Sequence, residues 1–317
     1  MSDFKAVAIG GGTGLPIVLR ALKGLTTEIT AIVTMADDGG SSGKLREELG
    51  ILPPGDVRNC LVALAEDENS ELVEIIQYRF PSGWSLAEHN LGNLIIAGMA
   101  DYKGGFIEAI DALSRLLGVK GAVLPSTLEN VRLYADIGGG SVLAGQARIA
   151  RTELIRHVHL EPKNAVAYKP AVAAISSADL VIISPGSLFT SILPNLLIKG
   201  IKEAIAETDA RKIFILNTMN MRRETFGMTG ADYLEALERH NCANMIDTVL
   251  AHEGPALKDV PTPEGETAHS VEYDPNDVSR LGLTLVTADV ADGTHPLRHD
   301  PNKLRASLAG LVKPDAN

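Results

Sequence analysis

The sequence predicts an α/β fold, doubly wound around a mostly parallel sheet, with a Rossmann-like nucleotide site and helical insertions. Three observations predict it. Apolar runs of strand length alternate with stretches of helical periodicity, the pattern of βαβ units. The early runs have no polar face, as expected of strands buried on both sides. Turns rich in glycine follow several runs directly, where open α/β sheets bind ligands.

In chain order, "KAVAIG" (Lys5–Gly10) is the first strand, and "LPIVLRALKGL" recurs at helical spacing until Gly24. "EITAIVTM" is the second strand. Helices are expected around Val57–Glu66, Ser70–Tyr78, Glu88–Ala100 and Gly105–Leu117. "VKGAVLPS", "VRLYADI" and "SVLAGQARI" read as strands, the last two about a turn at "IGGGS". "SADLVIISPGS" is a buried strand leading into a helix at Leu188–Lys199. "RKIFILNTM", "MIDTVLAH" and "LTLVTADV" complete the strands, and Asn302–Leu311 is the last helix. Glu253–Pro275, rich in Pro, Gly and acid, reads as a long surface loop. The expectation is one α/β domain over residues 1–317, with a helix-rich segment at about 56–118.

Composition narrows the function. With 45% hydrophobic residues the 317-residue chain can build a full core, and its net charge of −11 argues against a general nucleic-acid binder. No apolar run approaches the ~20 residues of a membrane span. The opening stretch has no signal-peptide core. Cys60 and Cys242 match no metal or redox spacing and read as buried thiols. The expectation is a cytoplasmic protein whose partner is a small molecule, not nucleic acid or membrane.

The strand ends carry the chemistry. "IGGGTGLP" lets backbone amides at a helix start meet an anion, through Gly11, Gly12, Thr13 and Gly14. It is not the full dinucleotide fingerprint, since Leu15 stands where the last glycine belongs. "TMADDGGSSGKLR" fails as a Walker loop, with Asp38 and Leu45 at the required glycine and Ser/Thr positions. It does contain G-x-S-x-G (Gly39–Gly43), but two carboxylates upstream disfavour an oxyanion, and no histidine pairs evidently with the serine. Asp37 and Asp38 lie where a Rossmann acid holds a ribose hydroxyl, and they are also candidates for Mg²⁺. The competing reading makes one of them a helix cap.

Further on, "PPGDVRNCL" puts Asp56 at a cap and Arg58 and Asn59 in a first helical turn, where arginine gains nothing from the helix dipole. Arg58 therefore answers either an acidic ligand or the acids at 37 and 38. Asn90 and Asn93 share a helix face and suit a base or a sugar, with capping as the plainer role for Asn90. "SPGSLFTSILPNL" offers a second strand–glycine–helix anion turn at Gly186 and Ser187, so the ligand would carry two phosphates, or phosphate plus sugar. Asn217 ends a strand, and Arg222, Arg223, Glu224 and Thr225 follow it as a charge cluster. His157 and His159 share a strand face but lack a third metal ligand nearby. His89, beside Asn90, is the better candidate, and Arg298–His299 precede the last helix.

Taken together, "GGGTGL", "ADDGGSSGKLR", "PPGDVRNCL", "HNLGNL", "TLENV", "SSADLVIISPGSLFTSILPNLL" and "LRHDPNKL" resemble the bacterial gluconeogenesis factor family. That family is homologous to the 2-phospho-L-lactate transferase of deazaflavin coenzyme biosynthesis. The resemblance runs from about Lys5 to Leu311. It implies a UDP-sugar ligand of the UDP-N-acetylglucosamine type and a regulatory role in gluconeogenic carbon metabolism and cell shape. It places the site on Gly11–Gly14, Asp37, Asp38, Ser41, Ser42, Asn59, Asn90, Asn93, Gly186 and Ser187, with Arg298 near the nucleotide sugar. The transferase relatives imply the alternative, an Mg²⁺-dependent enzyme with a GDP-linked donor and Asp37 and Asp38 on the metal. A nicotinamide oxidoreductase is the weaker third reading. A homodimer, with "LIIAGMA" as a candidate face, and a regulatory protein partner are further expectations. The sequence departs from the family at "NMRR" (Asn220–Arg223) and over Glu253–Pro275.

Overall fold

The structure is a computed structural model that describes residues 4–220, 223–254, 260–261 and 267–312. Its centre is a seven-stranded sheet. We label these strands β1 (Ala6–Gly10), β2 (Ile29–Val33), β3 (Ala122–Pro125), β4 (Leu180–Ile183), β5 (Arg211–Ile215), β6 (Thr248–His252) and β7 (Thr284–Ala288). Their order across the sheet is β7-β6-β5-β4-β1-β2-β3, and every neighbouring pair is parallel. β1 and β4 are buried along their whole length, which is why their sequences are unbroken apolar runs. The edge strand β7 is partly exposed throughout.

The chain builds outward from β1 through β2 to β3, then returns to lay β4 on the other side of β1. This reversal is the topological switch point, where adjacent loops leave in opposite directions and open a crevice. The helix Gly14–Lys23 follows β1 and buries Leu15, Val18, Leu19 and Leu22, the spacing of a single helical face. Each such leucine contributes roughly 1.5–3 kcal/mol of burial. That face seats the helix and so fixes the glycine turn at its start. The helix also packs against Gly55–Leu64 and Pro301–Val312.

The helix-rich insertion lies between β2 and β3: Gly40–Leu49, Gly55–Leu64, Glu71–Gln77, Leu91–Lys103 and Phe106–Leu116. Four of these meet the expected positions. The sequence gives no helical signal for Gly40–Leu49, because its glycines and serines carry little apolar periodicity. "VRLYADI" and "SVLAGQARI" form a hairpin outside the main sheet, with Arg132–Asp136 antiparallel to Val142–Ala144 and to His157–Glu161. The second run is a strand only as far as Ala144, after which Gln146–Ile149 is helical.

The expected helix over 188–199 is a π-helical turn, Leu188–Ile192, continued by Leu193–Leu196. Asn195 Nδ2 donates to the carbonyls of Gly10 (3.0 Å) and Ser191 (2.8 Å), tying this segment to the end of β1. The long loop expected over Glu253–Pro275 is partly strand. Thr267–Ser270 pairs with Met219–Asn220 and with Val260–Pro261. Of its four residues only Ala268 is buried, too little apolar pattern to read as a strand. Residues 255–259 and 262–266 lie outside the described residues. Among the described residues no helix is long and apolar enough to cross a membrane.

A Cβ on Gly14 would lie 1.8 Å from the Pro185 carbonyl oxygen, so the turns after β1 and β4 meet closer than any other residue allows. Gly14→Ala is therefore expected to cost several kcal/mol in urea unfolding, by overpacking against backbone. Gly98→Ala, on an open helix face with nothing within 4 Å of its Cβ, should instead gain up to about 1 kcal/mol. Equal effects at the two positions would contradict the packing described.

Candidate functional site

The crevice at the switch point is walled by the turn after β1 and the turn after β4. In the first, Gly12 takes a left-handed conformation (φ 59°), and its amide donates to Asp56 Oδ2 at 2.8 Å. Asp56 sits in the first turn of Gly55–Leu64. Burial, and then the charge of Asp37, push its carboxyl up to about 6. Sequence reasoning took Asp56 for a cap. Its contact with a turn 44 residues away has no local signature.

The second turn is braced from the segment after β5. Asn217 Oδ1 accepts the Gly186 amide (2.8 Å), and Asn217 Nδ2 donates to the Gly186 carbonyl (2.9 Å) and lies 3.1 Å from the Tyr233 hydroxyl. Glu224 lies beneath the same turn. Its Oε2 accepts from Thr190 Oγ1 at 2.9 Å. The Ser187 hydroxyl and the Leu188 and Phe189 amides face the same carboxyl. Burial nonetheless raises it to about 7. The sequence placed Glu224 in a surface charge cluster, but only the fold shows that it turns inward. Arg222 of that cluster lies outside the described residues.

The adjacent acids part company. The two oxygens of Asp38 accept the amides of Gln146 (3.0 Å) and Ala147 (2.8 Å). It is the cap of a helix more than a hundred residues ahead, not of the next one. Asp37 faces inward, accepts the Gly39 amide at 3.0 Å, and has a carboxyl raised by burial despite hydrogen bonds from Gly39 and Ser42 that hold it down. Among the described residues no three His, Cys, Asp or Glu side chains group as a metal site. A magnesium ion carried on a diphosphate needs only one or two carboxylates. Asp37 fits that demand better than Asp38, whose oxygens are already engaged.

Several expected contacts are supports. Ser42 Oγ accepts the Gly55 amide (3.1 Å), and Ser41 Oγ lies 3.2 Å from His89 Nδ1 while accepting the Asn90 amide. The histidine that the sequence did not pair with Ser41 is thus found. The serine itself is buried beneath the contact. Asn90 caps Leu91–Lys103 by accepting the Asn93 amide, and both asparagines are buried. Asn93 Oδ1 then accepts from Arg58 Nη1, and Asn59 Oδ1 from Arg58 Nη2, each at 2.7 Å. The buried Arg58 guanidinium thus rests on neutral amides, neither of the acids at 37 and 38 among its hydrogen-bond partners, and its Nε has no partner. Burial, and then the charge of Arg79, lower it to about 10, so it stays protonated at neutral pH.

What remains open is a cleft of about 230 Å³ lined by Gly12, Thr13, Asn59, Gln77 and Arg298, among others. Thr13 starts its helix without a side-chain cap bond, so its hydroxyl is available. Asn59 has its oxygen on Arg58, which leaves its NH₂ to donate. Arg298 is held over the cleft by its neighbour. His299, buried and kept neutral with a pKa of about 4, donates from Nε2 to the Leu216 carbonyl at 3.1 Å. The cleft therefore offers a helix N-terminus, a hydroxyl, an amide donor and an exposed cation, a set suited to phosphate and sugar oxygens.

A larger cavity, about 950 Å³, lies elsewhere, along Leu49, Ile51, Ala97, Phe106, Ile107 and Tyr168. Its charged lining residues are the acids Asp101 and Glu108, which do not suit a diphosphate. His157 and His159 stack on His240 and Tyr134 respectively.

Comparison with known proteins identifies the family. Residues 6–291 match the family described as 2-phospho-L-lactate transferase CofD. The chain is 42% identical over 311 residues to the gluconeogenesis factor of Halalkalibacterium halodurans, covering 97% of this chain and 96% of that one. It is 41% identical over 317 residues to the gluconeogenesis factor of Bacillus subtilis, covering 98% of each. A crystal structure of a UPF0052 family member from Bacillus halodurans superposes with a TM-score of 0.90 at 40% identity, covering 97% of this chain and 99% of that one.

The raised Glu224 carboxyl gives a pH prediction. The folded state binds this proton more tightly than the unfolded chain, so stability falls as pH rises from the ordinary 4.5 through about 7. The shift corresponds to roughly 3 kcal/mol. Urea unfolding at pH 5 and pH 8 should show wild type losing about that much more than Glu224→Gln, which has nothing to ionise there. Parallel losses in the two proteins would refute the assignment.

Proposed function

The chain belongs to the 2-phospho-L-lactate transferase CofD family, and from that premise we propose that it is a cytoplasmic nucleotide-sugar-binding regulator of gluconeogenic carbon metabolism and of the cell envelope and cell shape. Its ligand is of the UDP-N-acetylglucosamine type. The observation that carries the reading is the cleft at the switch point, where Gly12, Thr13, Asn59 and Arg298 converge beside a buried Arg58 whose hydrogen bonds go to the neutral amides of Asn59 and Asn93. A buried guanidinium hydrogen-bonded to neutral amides, beside a helix N-terminus, suits an anion. The diphosphate lies over Gly11–Gly14, with Arg298 on the nucleotide sugar. Relatives called gluconeogenesis factors at about 40% identity over nearly the whole chain support the regulatory role. The partners in this reading are the nucleotide, a second copy of the chain and a regulatory protein.

A second reading has its own observation. Asp37 faces inward and its charge, after burial, raises the Asp56 carboxyl, which sits on the first glycine turn. Mg²⁺ on a GDP-linked donor would settle that pair, and phosphoryl transfer asks mainly for placement and charge neutralisation. In this alternative the chain is a phospholactyl transferase and Asp37 is its metal contact.

A thermal-shift panel with UDP-N-acetylglucosamine, UDP-glucose, GDP and NAD, each with and without Mg²⁺, separates the readings. The regulator reading expects UDP-sugars to stabilise without Mg²⁺, by about 2.7 kcal/mol at a hundredfold excess over Kd. Arg298→Ala should weaken that binding by roughly tenfold or more, as loss of a charge-assisted contact does. Stabilisation by GDP alone, and only with Mg²⁺, would replace the regulator by the transferase.

A further inference from the structure

The turn after β4 resembles an open anion site, yet its donors already face an anion. The Leu188 and Phe189 amides and the Ser187 hydroxyl all face the Glu224 carboxyl, and Thr190 Oγ1 donates to its Oε2 at 2.9 Å. The second oxygen, Oε1, is shut away from solvent without a well-formed hydrogen bond. Gly186, the residue a ligand would approach, is clamped through both its amide and its carbonyl by Asn217. The turn is thus built around an internal carboxylate.

From this, and resting on the nucleotide-binding reading, we propose that Glu224 stands in for a ligand phosphate at the second glycine turn, and that an anionic nucleotide engages the site together with one proton, taken from solvent onto Glu224. The electrostatics leave little alternative. A diphosphate over Gly11–Gly14 sits beside this turn, because Gly14 packs on the Pro185 carbonyl; there it meets a fixed negative charge in a poorly solvated place, and protonating that charge removes the repulsion. Among the described residues, the groups whose hydrogen bonds or charges act on Glu224 are neutral. Thr190 and Ser187 are neutral hydroxyls, and the nearby Tyr233 phenol is driven by burial above its usual range, so it stays protonated. The carboxyl's resting value of about 7 puts the exchange within the physiological range. Asp56, at about 6, is the other carboxyl on a glycine turn and is ionised at pH 8. A variant at 224 tells the two apart.

The experiment is isothermal titration of UDP-N-acetylglucosamine into the full chain at pH 8, without Mg²⁺, in two buffers of different ionisation enthalpy. Wild type is expected to take up close to one proton per nucleotide, and its affinity should fall as much as tenfold per pH unit above about 7. Glu224→Gln should lose most of both effects while still binding. The wild-type proton count does not depend on that variant folding. A ¹³C-carboxyl NMR titration of wild type then assigns the proton, since the Glu224 signal should move to its protonated position when nucleotide is added at pH 8. Binding without proton uptake would overturn the inference and leave the nucleotide reading standing. Uptake that persists in Glu224→Gln would overturn it as well. No binding of any nucleotide would overturn both.

Discussion

The contact between Gly14 and the Pro185 carbonyl sets the distance between the two turns that wall the crevice. Everything chemical at the site depends on that distance. The turns are brought together by the reversal of strand order beside β1, and they are kept together by side chains from far along the chain. Asp56 reaches the first turn, Asn217 and Glu224 reach the second, and Asn195 ties the second to the last residue of β1. The site is therefore a property of the sheet topology rather than of any one motif.

A pattern runs through these braces. Backbone amides that could receive a phosphate already face a carboxylate of the protein, Asp56 in one turn and Glu224 in the other. Buried donors need partners whether or not a ligand is present, because an orphaned amide costs a few kcal/mol. Carboxylates meet that need, but burial makes their own charge unfavourable, and both are raised above the ordinary range. The free molecule is held together by anions that an anionic ligand must neutralise or displace.

The sequence showed the fold well where burial is strong. β1 and β4 have no polar face, and the helix after β1 has a clean apolar stripe, so both were legible. It showed less where the signal is weak or distant. Gly40–Leu49 is a helix of small polar residues held by its surroundings, and Thr267–Ser270 is a strand with a single buried residue. At the site, the glycine turns and Asn59 and Arg298 stood out by position and lie on or beside the cleft. Asn90, Asn93, Ser41 and Ser42 were equally visible but are buried supports, since residue type alone does not say which face of a turn is open. The different fates of Asp37 and Asp38 could not be read from adjacency. The two carboxylates take different partners, the Gly39 amide for Asp37 and the amides of Gln146 and Ala147 for Asp38.

The central claim is that the nucleotide sits at the switch point and not in the larger apolar cavity. A crystal structure of the full chain with UDP-N-acetylglucosamine tests it most directly. The account predicts the diphosphate over the amides of Gly11–Gly14, with Asn59 and Arg298 in contact with the ligand. A nucleotide seated instead along Leu49, Ala97 and Phe106, with the glycine turns untouched, would contradict it.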